Sequence, residues 1–161
     1  GLRQGDVIVA VDGRPAADAA AVSYAISSRR PGETVRLGVR RGGGELTLNL
    51  RAEAPPATPA RDQRVISGRN PFDGATVVNL SPAVADELGL DPFLGRGVLV
   101  TNIGRGFAMN AGLRPGDLIR RVNGRDIATV RDLTNVLGSG GGQWQGTIER
   151  NGQEITANFR T

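Results

Sequence analysis

The sequence predicts a mostly β fold with short helices, an α+β class, built from about one and a half copies of one module. Three observations predict it. The phrase GLRQGDVIVAVDGR at residues 1 to 14 returns as GLRPGDLIRRVNGR at residues 112 to 125. Short β-branched runs end in Asp-Gly or Asn-Gly, dipeptides that favour hairpin turns. With 24 glycines and 9 prolines among 161 residues, tight connections must be frequent.

The repeat sets the organisation. Gly1 falls on Gly112, Leu2 on Leu113, Gly5 on Gly116, Asp6 on Asp117, Ile8 on Ile119, and Gly13-Arg14 on Gly124-Arg125. The same alignment carries Val22 onto Leu133 and Ile26 onto Leu137. After a loop two residues shorter, RGGGELTLNLR (41–51) falls on RNGQEITANFR (150–160). Internal repetition of this kind means two copies of one module.

Each element can be justified in order. VIVAV and LIRRV read as strands closed by Asp12-Gly13 and Asn123-Gly124. A helix follows in each copy, with Asp18 and Thr129 as N-caps and Thr129 with Asp132 forming a capping box. Val130, Leu133, Val136 and Leu137 recur at helical spacing and make one apolar face. Two strands then complete the module, TVRLGVR with ELTLNLR and WQGTIER with EITANFR, the second pair joined by a tight turn at Arg150-Asn151-Gly152-Gln153. Between the copies, EAPPATPARDQR is proline-rich and without periodicity, as a semi-extended linker is. Beyond it lie a strand, ATVVNL, a helix opened by Ser81-Pro82, the loop FLGRG, a strand, VLVTNI, and a helical turn near Phe107–Ala111. The expected boundaries are residues 1–53 for the rear part of a first module, 54–72 for the linker and 73–161 for a complete second module. On that reading the chain is a piece of a longer protein.

Composition narrows the function. All 20 basic residues are arginine, interspersed with 16 acidic ones, and the formal charge is +4. No basic stripe carries interleaved aromatics, so nucleic acid is not an expected partner. No apolar run approaches the roughly 20 residues that span a bilayer, so no membrane span is expected. The chain has no histidine and no cysteine. GSGGG at 138–142 superficially resembles a glycine-flanked nucleophile, yet a Ser-His-Asp arrangement cannot form here, and Ser139 reads as a loop residue. No catalytic residue, metal or cofactor is expected. Asp6 and Asp117 follow glycine in turns, where a short carboxylate accepts backbone N–H bonds. Trp144 and Tyr24 are read as packing residues.

The phrase AGLRPGDLIRRVNGRDI, preceded by GRGVLVTNI, resembles the core signature of bacterial PDZ domains in their permuted form. The stretch NPFDGATVVNLSPAVADELGLD resembles the entrance to the second PDZ domain of Do-like (HtrA or DegP-type) serine endopeptidases. The resemblance implies a PDZ-like small β-barrel or sandwich capped by two helices. It also implies a periplasmic setting, an upstream protease domain, exposed apolar C-termini or unfolded segments of proteins as ligands, and homo-oligomeric assembly. Two alternatives stand beside it: a tandem PDZ region of an intramembrane metalloprotease, and a structural assembly domain whose groove is closed or self-occupied.

A ligand carboxylate needs convergent N–H donors, and Gly95-Arg96-Gly97-Val98 offers glycines that permit the tight turn. By resemblance this is the carboxylate-binding loop, with the Arg96 guanidinium either adding a contact or facing solvent. The strand behind it, Val98, Leu99, Val100, Thr101 and Asn102, is then expected to pair with an extended peptide. Val98, Val100, Leu133, Val136 and Leu137 would form the pocket for its last side chain, and Val130 would face an apolar residue two positions earlier. The same residues would serve the core of any small β module.

Overall fold

The computed structural model describes residues 1–91 and 93–161 and divides into two compact units, Gly1–Ala54 and Pro55–Thr161. In the first, β1 (Val7–Val11), β2 (Arg14–Pro15), α1 (Ala19–Ser27), β3 (Thr34–Arg41) and β4 (Gly44–Arg51) follow one another. The sheet is antiparallel in the order β2-β1-β3-β4. The β1–β2 turn works because Asp12 and Gly13 both accept positive φ, 48° and 78°, the demand of a tight two-residue hairpin. Asp18 caps α1 by accepting the Ala21 N–H. Alternation on β3 turns Val35, Leu37 and Val39 inward, and with Val11 they form this unit's core.

The second unit holds β5 (Arg64–Val65), β6 (Ala75–Asn79), α2 (Pro82–Glu87), β7 (Val98–Ile103), α3 (Phe107–Asn110), β8 (Leu118–Val122), β9 (Arg125–Asp126), α4 (Val130–Gly138), β10 (Gln143–Arg150) and β11 (Gln153–Arg160). Its strands run β11-β10-β8-β7-β6-β5, every pairing antiparallel, with β9 on β8. The chain is therefore mostly β with short helices, in two sheets that form no closed barrel among the described residues. Thr129 and Asp132 make both halves of the capping box that starts α4. The larger core gathers Phe72, Val77, Val98, Val100, Ile119, Val130 and Leu133, and a smaller one gathers Val78, Leu80, Val84, Leu99 and Leu118 on the other face of the sheet. No helix among the described residues is long and apolar enough to cross a membrane.

The stretch read as linker, 54–72, is different in the structure. Arg64 and Val65 pair with Val77 and Thr76 of β6, and Ile66, Asn70 and Phe72 are buried. Prolines stand on both sides of the paired residues, at 59 and 71, and the strand character of Arg64 and Val65 comes from a partner more than ten residues later. A run of two strand residues carries no alternation that a sequence reading can detect.

Candidate functional site

The strand expected to take a guest is flanked by two others. β7 is interior: Val98 and Leu99 pair with Asn79 and Val78 of β6 on one side and with Ile119 and Leu118 of β8 on the other. Val100 continues the second ladder by donating to the Asp117 carbonyl and accepting from Gly116. Over Val98–Val100, the stretch next to the glycine loop, both edges are paired and no main-chain groups are left for strand addition. Val98, Val100, Val130, Leu133 and Val136 lie in the larger core and Leu137 packs against it, whereas Leu99 belongs to the smaller one. Thr101 is half-buried and donates to the Thr76 carbonyl, and Asn102 is exposed.

The glycine loop is likewise engaged. Arg120 donates to the carbonyls of Leu94 and Arg96 while its Nε and Nη2 hold the Glu149 carboxylate at 2.9 and 2.7 Å. The Gly97 carbonyl accepts from the Leu80 N–H. Carbonyls converge here on a cation, the reverse of the expected convergence of amides on an anion. Gly95 has the positive φ of 80° that the turn needs, whereas Gly97 is set by packing: a Cβ there would lie 2.9 Å from Leu118 Cδ1, so the leucine would have to shift. The Arg96 side chain stands exposed.

A different edge has the properties sought. β6 pairs with β7 on one side, lies near α4, and on its other side carries residues 60–66. Ile66 donates to the Ala75 carbonyl at 2.8 Å and accepts from Gly74 N–H at 2.8 Å. At the far end Asn79 donates its N–H to the Arg61 carbonyl at 2.8 Å and its Nδ2 to the Ala60 carbonyl at 2.7 Å. The Asn79 Oδ1 accepts from the Val130 N–H at 2.6 Å, so one buried amide ties the edge of β6 to the start of α4. Ile66, 4% exposed, belongs to the same apolar cluster as Val77, Val130, Leu133 and Val136. Arg64 and Val65 point to solvent. The segment thus places one aliphatic side chain in the core and lays its backbone along a sheet edge.

The turn between the segment and β6 is built by close backbone approach. Gly74, at φ 88°, would put a Cβ 2.6 Å from the Arg105 carbonyl oxygen, so the chain passes there only as glycine. Asp73 accepts from Gly68 N–H at 3.1 Å and Phe107 N–H at 3.3 Å through its two carboxylate oxygens. Sequence reasoning identified ATVVNL as a strand yet passed over it as the site. The available signal was Gly74, a glycine leading into a β-branched run as Gly97 does.

Asp6 and Asp117 accept backbone N–H groups as expected, from Arg3 and Arg114, each at 2.8 Å. Each also takes an arginine fork, Arg41 and Arg150, that the turn argument did not foresee. The hydrogen bonds from Arg41, then that from Arg3, hold Asp6 down from 3.8 to about 2. Ser139 lies exposed at the end of α4, donating to carbonyls of its own helix.

Comparison with known families assigns both units. Models described as PDZ domain match residues 1–51 and residues 64–140. A probable DegP-like periplasmic serine endoprotease of Chlamydia trachomatis is 34% identical over 144 residues, 89% of this chain and 28% of its own length. Similarly named proteins of Bartonella henselae and Pseudomonas fulva are 30% and 29% identical, over 85% and 86% of the chain and 27% and 29% of theirs. The chain therefore spans just over a quarter of the length of these relatives.

Proposed function

Since this chain belongs to the PDZ domain family, with one match in each unit, we propose that it is the protein-binding region of a periplasmic DegP-like serine endoprotease, and that its second module takes an extended polypeptide along β6 beside α4. The names of the relatives support the periplasmic setting and a protease domain as companion, outside these 161 residues. Hydrolysis belongs to that companion: without histidine, this chain supplies no Ser-His-Asp triad. The ligands are apolar segments exposed by unfolded or damaged proteins.

One observation carries the reading. The outer edge of β6 already pairs with an extended segment, and the cleft beside it holds an isoleucine. Main-chain bonds supply register, and the aliphatic pocket supplies selection. Filling it with Ile, Leu or Val contributes about 1.5–3 kcal/mol before ordering costs, which suits affinities on the order of micromolar or weaker. Residues 1–54 hold counterparts of β8 to β11 and α4 but none of β6, so the proposal concerns the second module alone.

The test is an amide chemical-shift map. Adding an acetylated, amidated peptide with a central Val-Ile pair should shift β6 and α4 in a saturable way, and Leu137→Arg at the mouth of the cleft should weaken the response. Shifts confined to other surfaces would remove the groove assignment. The same occupied edge favours a second reading, a structural module that assembles the parent into oligomers with its groove filled from within. Under it no peptide shifts β6 under any condition.

A further inference from the structure

Residues 60–66 do at the edge of β6 what a bound peptide would do, and on the reading above that identity has a consequence. We propose that this segment is an intramolecular ligand, a built-in competitor that must leave before the second module can take a partner. The partner it competes with is a through-running strand with an aliphatic residue at the Ile66 place, not a chain terminus.

The attachment is local and limited. Its side-chain anchor in the core is Ile66, while Ala60, Gln63, Arg64 and Val65 are exposed and Arg61 and Asp62 half-buried. Its other side-chain hold is Arg61 on Glu87, an exposed ion pair of small worth, while Arg64 pairs with Asp62 within the segment itself. The remaining bonds are main-chain contacts at Ala75, Gly74 and Asn79 and the two ladder positions of β5. An incoming strand can replace every one of these with its own backbone. The segment is also continuous with exposed, proline-containing chain, residues 53–58, in which the Pro56 carbonyl accepts from the Ala83 N–H, a single exchangeable bond. Tethering makes its effective concentration high, so a free peptide meets an occupied groove and binds with an affinity reduced by the open fraction.

The preference for a continuing chain comes from Asp73. Past the pocket residue the resident runs on, and its Gly68 N–H is received by the Asp73 carboxylate. A ligand ending at the pocket would replace these donors with a carboxylate within about two residue lengths of Asp73, roughly 7 Å. Like charges at that range repel, and the main-chain donor aimed at this point, Gly74 N–H, is a single one.

The experiment uses the whole chain and a labelled peptide that copies residues 60–68, Ala-Arg-Asp-Gln-Arg-Val-Ile-Ser-Gly, capped at both ends. Anisotropy titrations compare the chain as it is, the Ile66→Ala variant, and a Val65→Cys/Thr76→Cys variant. The cysteine pair sits at directly opposed ladder positions, within disulfide reach, in a chain that has no other cysteine. The expected result is at least tenfold tighter binding to Ile66→Ala than to the original chain. Oxidation of the cysteine pair should abolish binding and reduction should restore it. A second peptide ending at Ile66 with a free carboxylate should bind at least threefold more weakly than its amide. Equal affinity for the original chain and Ile66→Ala, or undiminished binding to the oxidised pair, overturns the proposal and leaves the groove assignment standing. Absence of binding to every form, the reduced and Ile66→Ala proteins included, removes the groove itself. Fluorescence of Trp144, buried in the second unit, verifies that each variant is folded. Tighter binding of the carboxylate peptide overturns the preference for a continuing chain.

Discussion

Arg150 forks onto Asp117, its Nε 2.6 Å from Oδ1 and its Nη2 2.7 Å from Oδ2, and Arg41 holds Asp6 in the same manner at 2.7 Å on both oxygens. The likeness extends further: Arg150 also donates to the Gly112 carbonyl and Arg41 to the Gly1 carbonyl, at 3.0 Å each. The repeat therefore preserves a clasp between the turn before one strand and the end of a strand more than thirty residues away.

The clasp sets a stability prediction. Asp117 is 1% exposed and Arg150 24%, so removing the arginine strands a carboxylate with almost no water, whereas removing the carboxylate leaves a cation that can still reach solvent. Arg150→Gln should cost on the order of 3 kcal/mol, within the range for a broken buried pair, and Asp117→Asn should cost less. Urea unfolding followed by Trp144 fluorescence compares them. Equal costs below about 0.5 kcal/mol would reduce the pair to a surface contact.

The first unit should respond to acid through Asp6. Its folded value, about 2, lies below the ordinary 3.8, so the fold favours the charged form. The resulting stability is complete above the unfolded value, and it is lost as pH falls from about 4 toward 2. Carboxyl carbon shifts of Asp6 read the midpoint directly, and the amide proton of Arg3, donated to this carboxylate, should move with it. In Arg41→Gln the midpoint should rise toward 3.8, because the arginine is the largest cause of the depression. An unmoved midpoint would remove Arg41 from the explanation.

What could be read from sequence follows how local each cause is. The turns at Asp12-Gly13 and Asn123-Gly124, the capping box of Thr129 and the alternation of β3 are decided within a few residues, and each is present. The fork of Arg150 on Asp117 spans 33 positions and depends on the register of β10 against β8. The surroundings of the expected site depend on sheet order in the same way. Gly95-Arg96-Gly97 has the composition of an anion loop, but its neighbour β7 is enclosed by β6 and β8, and enclosure is a property of sheet order. Conversely, Ile66 sits in a stretch that reads as linker until β6 pairs with it.

Gly97 distinguishes the two assignments. A Cβ at this position meets Leu118 Cδ1 at 2.9 Å and Cγ at 3.1 Å, within the packing of β7 on β8. Gly97→Ala should therefore destabilise the second unit by about 1–3 kcal/mol, as overpacking does. Peptide affinity, measured well below the unfolding midpoint in the Ile66→Ala background, should stay within twofold. Selective loss of affinity with stability intact would return the binding loop to residues 95–98.

Asn79 offers the last test, since its two amide ends serve different neighbours. Its Oδ1 receives the Val130 N–H and its Nδ2 donates to the Ala60 carbonyl. Asn79→Ala removes both and leaves a buried helix-start N–H without a partner, at a cost of about 1–3 kcal/mol. Asn79→Asp keeps an acceptor where the α4 N-terminus favours negative charge, but turns an oxygen toward the Ala60 carbonyl. Hydrogen exchange separates the two ends. In the alanine variant the amides of Val130 and Ile66 should both exchange faster. In the aspartate variant Val130 should stay protected while Ile66, bonded to the Ala75 carbonyl at the edge of β6, exchanges faster as the segment loosens. If Val130 loses protection equally in both, the helix start does not depend on this side chain, and Asn79 cannot be what couples α4 to the strand beside it.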